Sequence, residues 1–139
     1  MVNLEPLLTA PLAIRLHVLT VVPAFALGTW LLFFSTKGTA RHRLVGKVYL
    51  SLMAATALAA LCIRSFSSAS LDLGPFRLGL LHLFVPLTAH GVYGALATIR
   101  AGNIPGHRAA MRGLYFGGLI VAGLLAFAPG RVMYRMFFG

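Results

Sequence analysis

The sequence predicts an all-α fold: an integral membrane four-helix bundle made of two parallel-repeat helical hairpins, with both termini outside. Three observations predict it. Apolar residues make up 59% of the 139-residue chain and charged residues only 10%, against roughly 25% charged in soluble domains. A soluble protein of this size cannot hide that much apolar surface, so lipid must solvate it. Four apolar runs are each long enough, at ~1.5 Å per helical residue, to cross a ~30 Å hydrocarbon core. Finally, His17 and His42 are each followed, at the same offset of 65 residues, by His82 and His107. The chain reads as one transmembrane domain over 1–139.

A net charge of +10 would suggest nucleic acid in a soluble chain. Here the basic residues flank apolar runs, the pattern by which membrane proteins hold orientation and meet anionic lipid. Nucleic acid is excluded as a partner on that ground. Cys62 is the sole cysteine, so neither an internal disulfide nor a cysteine metal cluster is available. Glu5, and the lack of a basic segment before the first apolar run, argue that the first helix is retained rather than cleaved.

Residues 1–11 read as a partly interfacial lead-in, and 12–35 as the first span. Arg15 snorkels at its outer end and Pro23 is expected to bend it. Steps of three and four from His17 pass Thr20, Ala24, Gly28, Leu31 and Ser35. This narrow face of small residues admits a close helix or a flat ligand, while Leu27, Trp30, Phe33 and Phe34 are expected to meet lipid. A basic turn follows, with Gly38 as helix stop. The second span is 44–63, carrying small residues at Ser51, Ala55 and Ala59. Residues 64–75 read as a polar link with a serine cluster and Asp72. The third span is 76–99, the second reversal falls at Pro105-Gly106, and the fourth span is 109–128 with Gly113 and Gly117 in a GxxxG. Pro129 ends it, leaving an interfacial tail at 129–139.

Lys37, Arg41, Arg43, Lys47, Arg100, Arg108 and Arg112 surround the two turns, against Arg15, Arg64, Arg77, Arg131 and Arg135 at the other end. Seven to five places the turns in the cytoplasm of a bacterium and the protein in its inner membrane, multi-pass. Two hairpins entering from one side are parallel repeats about an axis along the membrane normal. His17 and His82 then lie at nearly equal depth. Ionisable groups inside a span are functional candidates by default, and two neutral imidazoles facing across a bundle suit the axial ligands of a haem b. On this reading His17 and His82 are the metal ligands of an outer haem. The small faces at Ala24, Gly28 and Ala89 make room for the macrocycle, and Arg15, Arg41, Arg43 and Arg108 pair with propionates. His42 and His107 are candidates for an inner haem, with interfacial capping as the competing role. For His17 and His82 the competing role is polar helix–helix packing. His90, eight residues past His82, would replace it as ligand, relay a proton or bond another helix. No span holds an acid, so no catalytic residue is singled out and enzymatic activity stays open.

His17, the run Lys37-Gly38-Thr39 with His42-Arg43, Gly46-Lys47-Val48-Tyr49, and His107-Arg108 with Met111, Ala122-Gly123 and Pro129-Gly130-Arg131 resemble a bacterial family of four-helix membrane proteins catalogued as a domain of unknown function. That resemblance covers nearly the whole chain and implies fold and membrane location but no activity. The histidine spacing is also similar, in architecture alone, to the two-haem, four-helix cytochrome b proteins of ferric and ascorbate reductases. Three functions follow as expectations. The first is a b-type haem electron-transfer protein with bis-histidine ligation between helices one and three, working with a quinone or a membrane redox partner. The second is a haem-free assembly or accessory subunit binding anionic lipid or partner helices. The third is a small transporter acting as a homodimer, drawn from the repeat and from Pro23 and Pro86.

Overall fold

A computed structural model describes residues 2–64, 71–74 and 76–139, the side chain of Phe76 excepted. Part of the expected serine-rich link (65–70 and 75) therefore lies outside the described residues. The short helix α1 is Glu5–Leu8. Four long apolar helices follow: α2 (Leu12–Phe34), α3 (Ala40–Leu61), α4 (Leu80–Arg100) and α5 (Ile104–Ala126). A final helix, α6, is Val132–Phe138. The chain is thus an all-α membrane bundle, with one small departure between α3 and α4.

That departure is an antiparallel hairpin of β1 (Leu71–Leu73) and β2 (Phe76–Leu78), with Asp72 opposite Arg77. Gly74, at φ +66°, turns it. The sequence pattern starts the third helix at 76, but Pro75 and Gly79 punctuate that stretch. Helix starts only at Leu80, in one 3₁₀ turn that becomes α at Phe84.

The helices α3 and α5 begin earlier than hydropathy suggests, because capping side chains start them. Thr39 Oγ1 accepts from the His42 amide at 3.1 Å and Asn103 Oδ1 from the Gly106 amide at 2.9 Å, satisfying otherwise orphaned donors. Each cap follows a left-handed glycine, Gly38 (φ +80°) and Gly102 (φ +71°). The second reversal is therefore made at Gly102-Asn103, not at Pro105-Gly106. Pro105 occupies the first helical turn, where its missing N–H costs nothing.

Helical backbone continues through Pro23 and widens into π-helix at Trp30–Phe34; α5 does the same at Leu114–Val121. The packing runs α2–α3–α4–α5 and closes from the π segment of α5 onto α2, which leaves α2 and α4 on a diagonal. The face stepped out from His17 is the packed one: Ala24, Gly28, Leu31 and Ser35 are all buried. Leu27 and Trp30 are half-buried against the core rather than free in lipid. At the end away from the basic turns, Asn3 N–H donates to Met136 O at 2.9 Å, so α1 and α6 close the bundle together.

Candidate functional site

The centre of the bundle is where the sequence leaves room for a flat cofactor, and the chain fills it with its own rings. A Cβ at Gly28 would lie 2.8 Å from Tyr49 Cε2 and 2.9 Å from Tyr115 Cδ2. The small face of α2 therefore admits aromatic side chains from α3 and α5. Tyr115 Oη bonds Thr29 Oγ1 at 2.8 Å. Tyr49 Oη, wholly buried, has no hydrogen-bond partner among the described residues.

His17 and His82 do not meet. The ring Nδ1 of His17 donates to the Thr56 carbonyl of α3 at 3.1 Å; a carbonyl only accepts, so Nδ1 carries the proton. Beside it Thr56 Oγ1 donates to Thr20 Oγ1 at 2.8 Å, and Thr20 in turn bonds the Leu16 and His17 carbonyls. This chain of bonds joins α2 to α3. His82 stands in the 3₁₀ turn of α4 with both nitrogens engaged. Its Nε2 donates to the Ile63 carbonyl at 2.7 Å, and its Nδ1 accepts from the Gly79 amide at 3.0 Å. A haem would need a free nitrogen lone pair on each ring, and both nitrogens of His82 are engaged, Nε2 with the Ile63 carbonyl and Nδ1 with the Gly79 amide. The outer pair does not fit the group; it fits polar ties between helices.

The inner pair behaves differently. His42 Nδ1 bonds Ser35 Oγ at 2.8 Å, and Ser35 Oγ passes its own proton to the Leu31 carbonyl at 2.8 Å. Lys37 Nζ caps the same π segment through the Leu31 carbonyl and, at 3.0 Å, the Leu32 carbonyl. His107 Nδ1 donates to Ala95 O at 2.9 Å, tying α5 to α4. His42 and His107, from different hairpins, stand near the starts of α3 and α5 at the same end of the bundle. For both, Nε2 has no protein partner among the described residues. An anchored Nδ1–H with a free Nε2 is the orientation of a ligating imidazole.

Around this pair stand the cations of both turns. Arg43 Nη1 donates to Gly38 O at 2.9 Å and the Arg41 guanidinium lies 5.2 Å from the centre of the Trp30 ring. Arg43, Lys47, Arg100, Arg108 and Arg112 flank the same two turns. The chain's two acids, Glu5 and Asp72, belong to the opposite end, so no carboxylate of this chain neutralises the basic end.

His90 is exposed on α4 and has no partner among the described residues. Sequence reasoning missed Thr56 and Tyr49, the first because its ligand-like bond uses the backbone, the second because an unpaired hydroxyl leaves no pattern. Searches of curated proteins and of solved structures return no match. Residues 14–135 match the family model described as "Predicted membrane protein (DUF2306)", and the chain, apolar enough to span the bilayer four times, belongs to that family.

Proposed function

We propose that this membrane protein is a haem-free assembly or accessory subunit whose basic end holds anionic phospholipid headgroups. The observation that carries this reading is the packing of the two hairpins side by side through α3 and α4, which gathers two basic turns at one end of the bundle. Seven lysines and arginines, with no acid among them, make an unneutralised surface at the depth of lipid phosphates. Each such cation near an anionic leaflet contributes about 1 kcal/mol. By the charge rule this end faces the cytoplasm, in a bacterial inner membrane. The test is to purify Arg43→Gln/Arg108→Gln in mild detergent and quantify bound phospholipid by mass spectrometry. Loss of about 2 kcal/mol corresponds to a roughly 30-fold weaker hold on anionic lipid. An unchanged ratio of anionic to zwitterionic lipid rejects the reading.

A second reading rests on the anchored Nδ1 and open Nε2 of both His42 and His107. These two residues, rather than His17 and His82, would be the axial ligands of a b-type haem, which would supply one-electron chemistry where it bound. A Soret band lost in His42→Ala and in His107→Ala supports it; purified protein without a Soret band rejects it.

A further inference from the structure

A pit of about 170 Å³ opens between α4 and α5 near the middle of both helices. Four glycines, Gly91, Gly94, Gly113 and Gly118, contribute to its lining. Neighbours within the chain already occupy the space at two of them, whereas Gly94 has only an ordinary 3.7 Å contact with Ala110 Cβ and Gly113 has nothing within 4 Å. A Cβ at Gly91 would meet Leu114 Cδ1 at 3.0 Å, and one at Gly118 would meet Met53 Cε at 3.2 Å and Thr88 Oγ1 at 3.4 Å. What remains is a compact recess, close in size to the ~150 Å³ apolar cavity that accepts one benzene ring.

Two polar groups line this recess, and neither has a partner among the described residues. Thr88 is only 6% exposed. Thr20 and Thr29, elsewhere in the bundle, return their hydroxyls to the carbonyl four residues back, at 3.0 and 2.8 Å. Thr88 makes no such bond, and its oxygen lies 3.4 Å from where a Cβ at Gly118 would stand, at the edge of the recess. His90, two residues on and therefore about 200° further round α4, stands exposed on the opposite flank of the recess. In hydrocarbon, where no water substitutes, an unpaired hydroxyl and an unpaired imidazole are each costly. A ligand that brings oxygen atoms to both removes that cost.

We infer that the recess binds the head of a lipid-soluble quinone. A single six-membered ring fits the volume. One ring oxygen accepts from the Thr88 hydroxyl and another from an N–H of His90; toward the quinol form the same nitrogen, in the other tautomer, accepts instead. The apolar tail leaves past Leu87, which is half-exposed to lipid. The proposal concerns binding alone and involves no electron transfer. It stands apart from the basic end, so either can fail without the other.

The experiment is titration calorimetry of the full chain in zwitterionic nanodiscs with a decyl-tailed benzoquinone, together with photolabelling by its azido derivative. Wild type is expected to bind saturably at one site per chain, with label recovered in α4 or α5. Loss of one hydrogen bond in Thr88→Val or His90→Leu should weaken binding about tenfold each. Thr88→Ser, which keeps the hydroxyl, should bind as wild type, so a packing defect is told apart from a lost bond. No saturable binding by wild type overturns the proposal, as does label confined to other helices or unchanged affinity in both loss variants. Efficient disulfide formation between two copies of His90→Cys in the bilayer also overturns it, since a second chain would then cover the recess.

Discussion

Gly28→Ala tests the packing that closes the centre of this bundle. The added methyl would stand 2.8 and 2.9 Å from carbons of Tyr49 and Tyr115, well inside the ~3.5–4.0 Å optimum for carbon contacts. Tyr49 is 0% exposed and Tyr115 4%, so neither ring has space to withdraw. Overpacking of this kind costs about 1–3 kcal/mol. Alanine's better helix propensity offsets about 0.8–1 kcal/mol of that, leaving a net loss near ~1 kcal/mol. Gly46→Ala supplies the control: Gly46 lies inside α3, and a methyl added there would meet nothing within 4 Å. It carries the same propensity gain without the clash, and the difference between the two variants isolates the steric cost. The assay is SDS-driven unfolding in mixed micelles, followed through Trp30, the sole tryptophan. Gly46→Ala should unfold at or above the wild-type midpoint and Gly28→Ala below it. Coincident midpoints for the two variants would refute the ring-on-glycine packing, and with it the argument that this face has no room for a flat cofactor.

The two tyrosines at that glycine should respond in opposite directions to loss of their hydroxyls. Tyr115→Phe removes the 2.8 Å bond to Thr29 and should cost about 1 kcal/mol in the same unfolding assay. Tyr49→Phe deletes a buried hydroxyl that lacks a partner among the described residues; it should leave stability unchanged or raise it by up to about 1 kcal/mol. A large loss in Tyr49→Phe would mean that its oxygen is satisfied after all.

The number of spans and the buried face of α2 were legible, because both rest on spacing. Thr20, Ala24, Gly28, Leu31 and Ser35 recur at helical intervals, and only such a face lets neighbours approach. Helix starts were less legible: hydropathy discounts Arg41, Arg43 and Arg108, although Thr39 and Asn103 cap the helices that contain them. The hairpin was hidden for a similar reason, since Leu71, Leu73, Phe76 and Leu78 read as apolar whichever structure they adopt. The site misled most. A repeat fixes depth along the bundle but says nothing of the direction in which a ring turns. His82 stands in the 3₁₀ turn at Leu80–Leu83 and His17 in regular α-helix, and each ring is turned to a different carbonyl of α3 or its end. Moreover the partners at Thr56, Ile63 and Ala95 are backbone carbonyls, which every residue carries and no sequence pattern can mark.

The histidine repeat acquires a different meaning once those partners are known. His17 ties α2 to α3, His42 ties α3 back to the end of α2, His82 ties α4 to α3, and His107 ties α5 to α4. His42 and His107 thus perform the same tie in each hairpin, which accounts for their matched positions without a shared ligand. Neutral imidazole suits this work in lipid, because it brings a donor to a carbonyl at far lower desolvation cost than an ammonium or guanidinium. The Ile63 carbonyl, just past the last turn of α3, is one of the orphan acceptors that any helix end leaves, and His82 supplies what water cannot. His90 is the exception. Phe25 stands where the repeat would place its counterpart, and no neighbour within the described chain engages its ring. Among five histidines, the one outside the repeat is the one with neither ring nitrogen bonded within the described chain, which leaves α4 with an imidazole wholly open to a ligand.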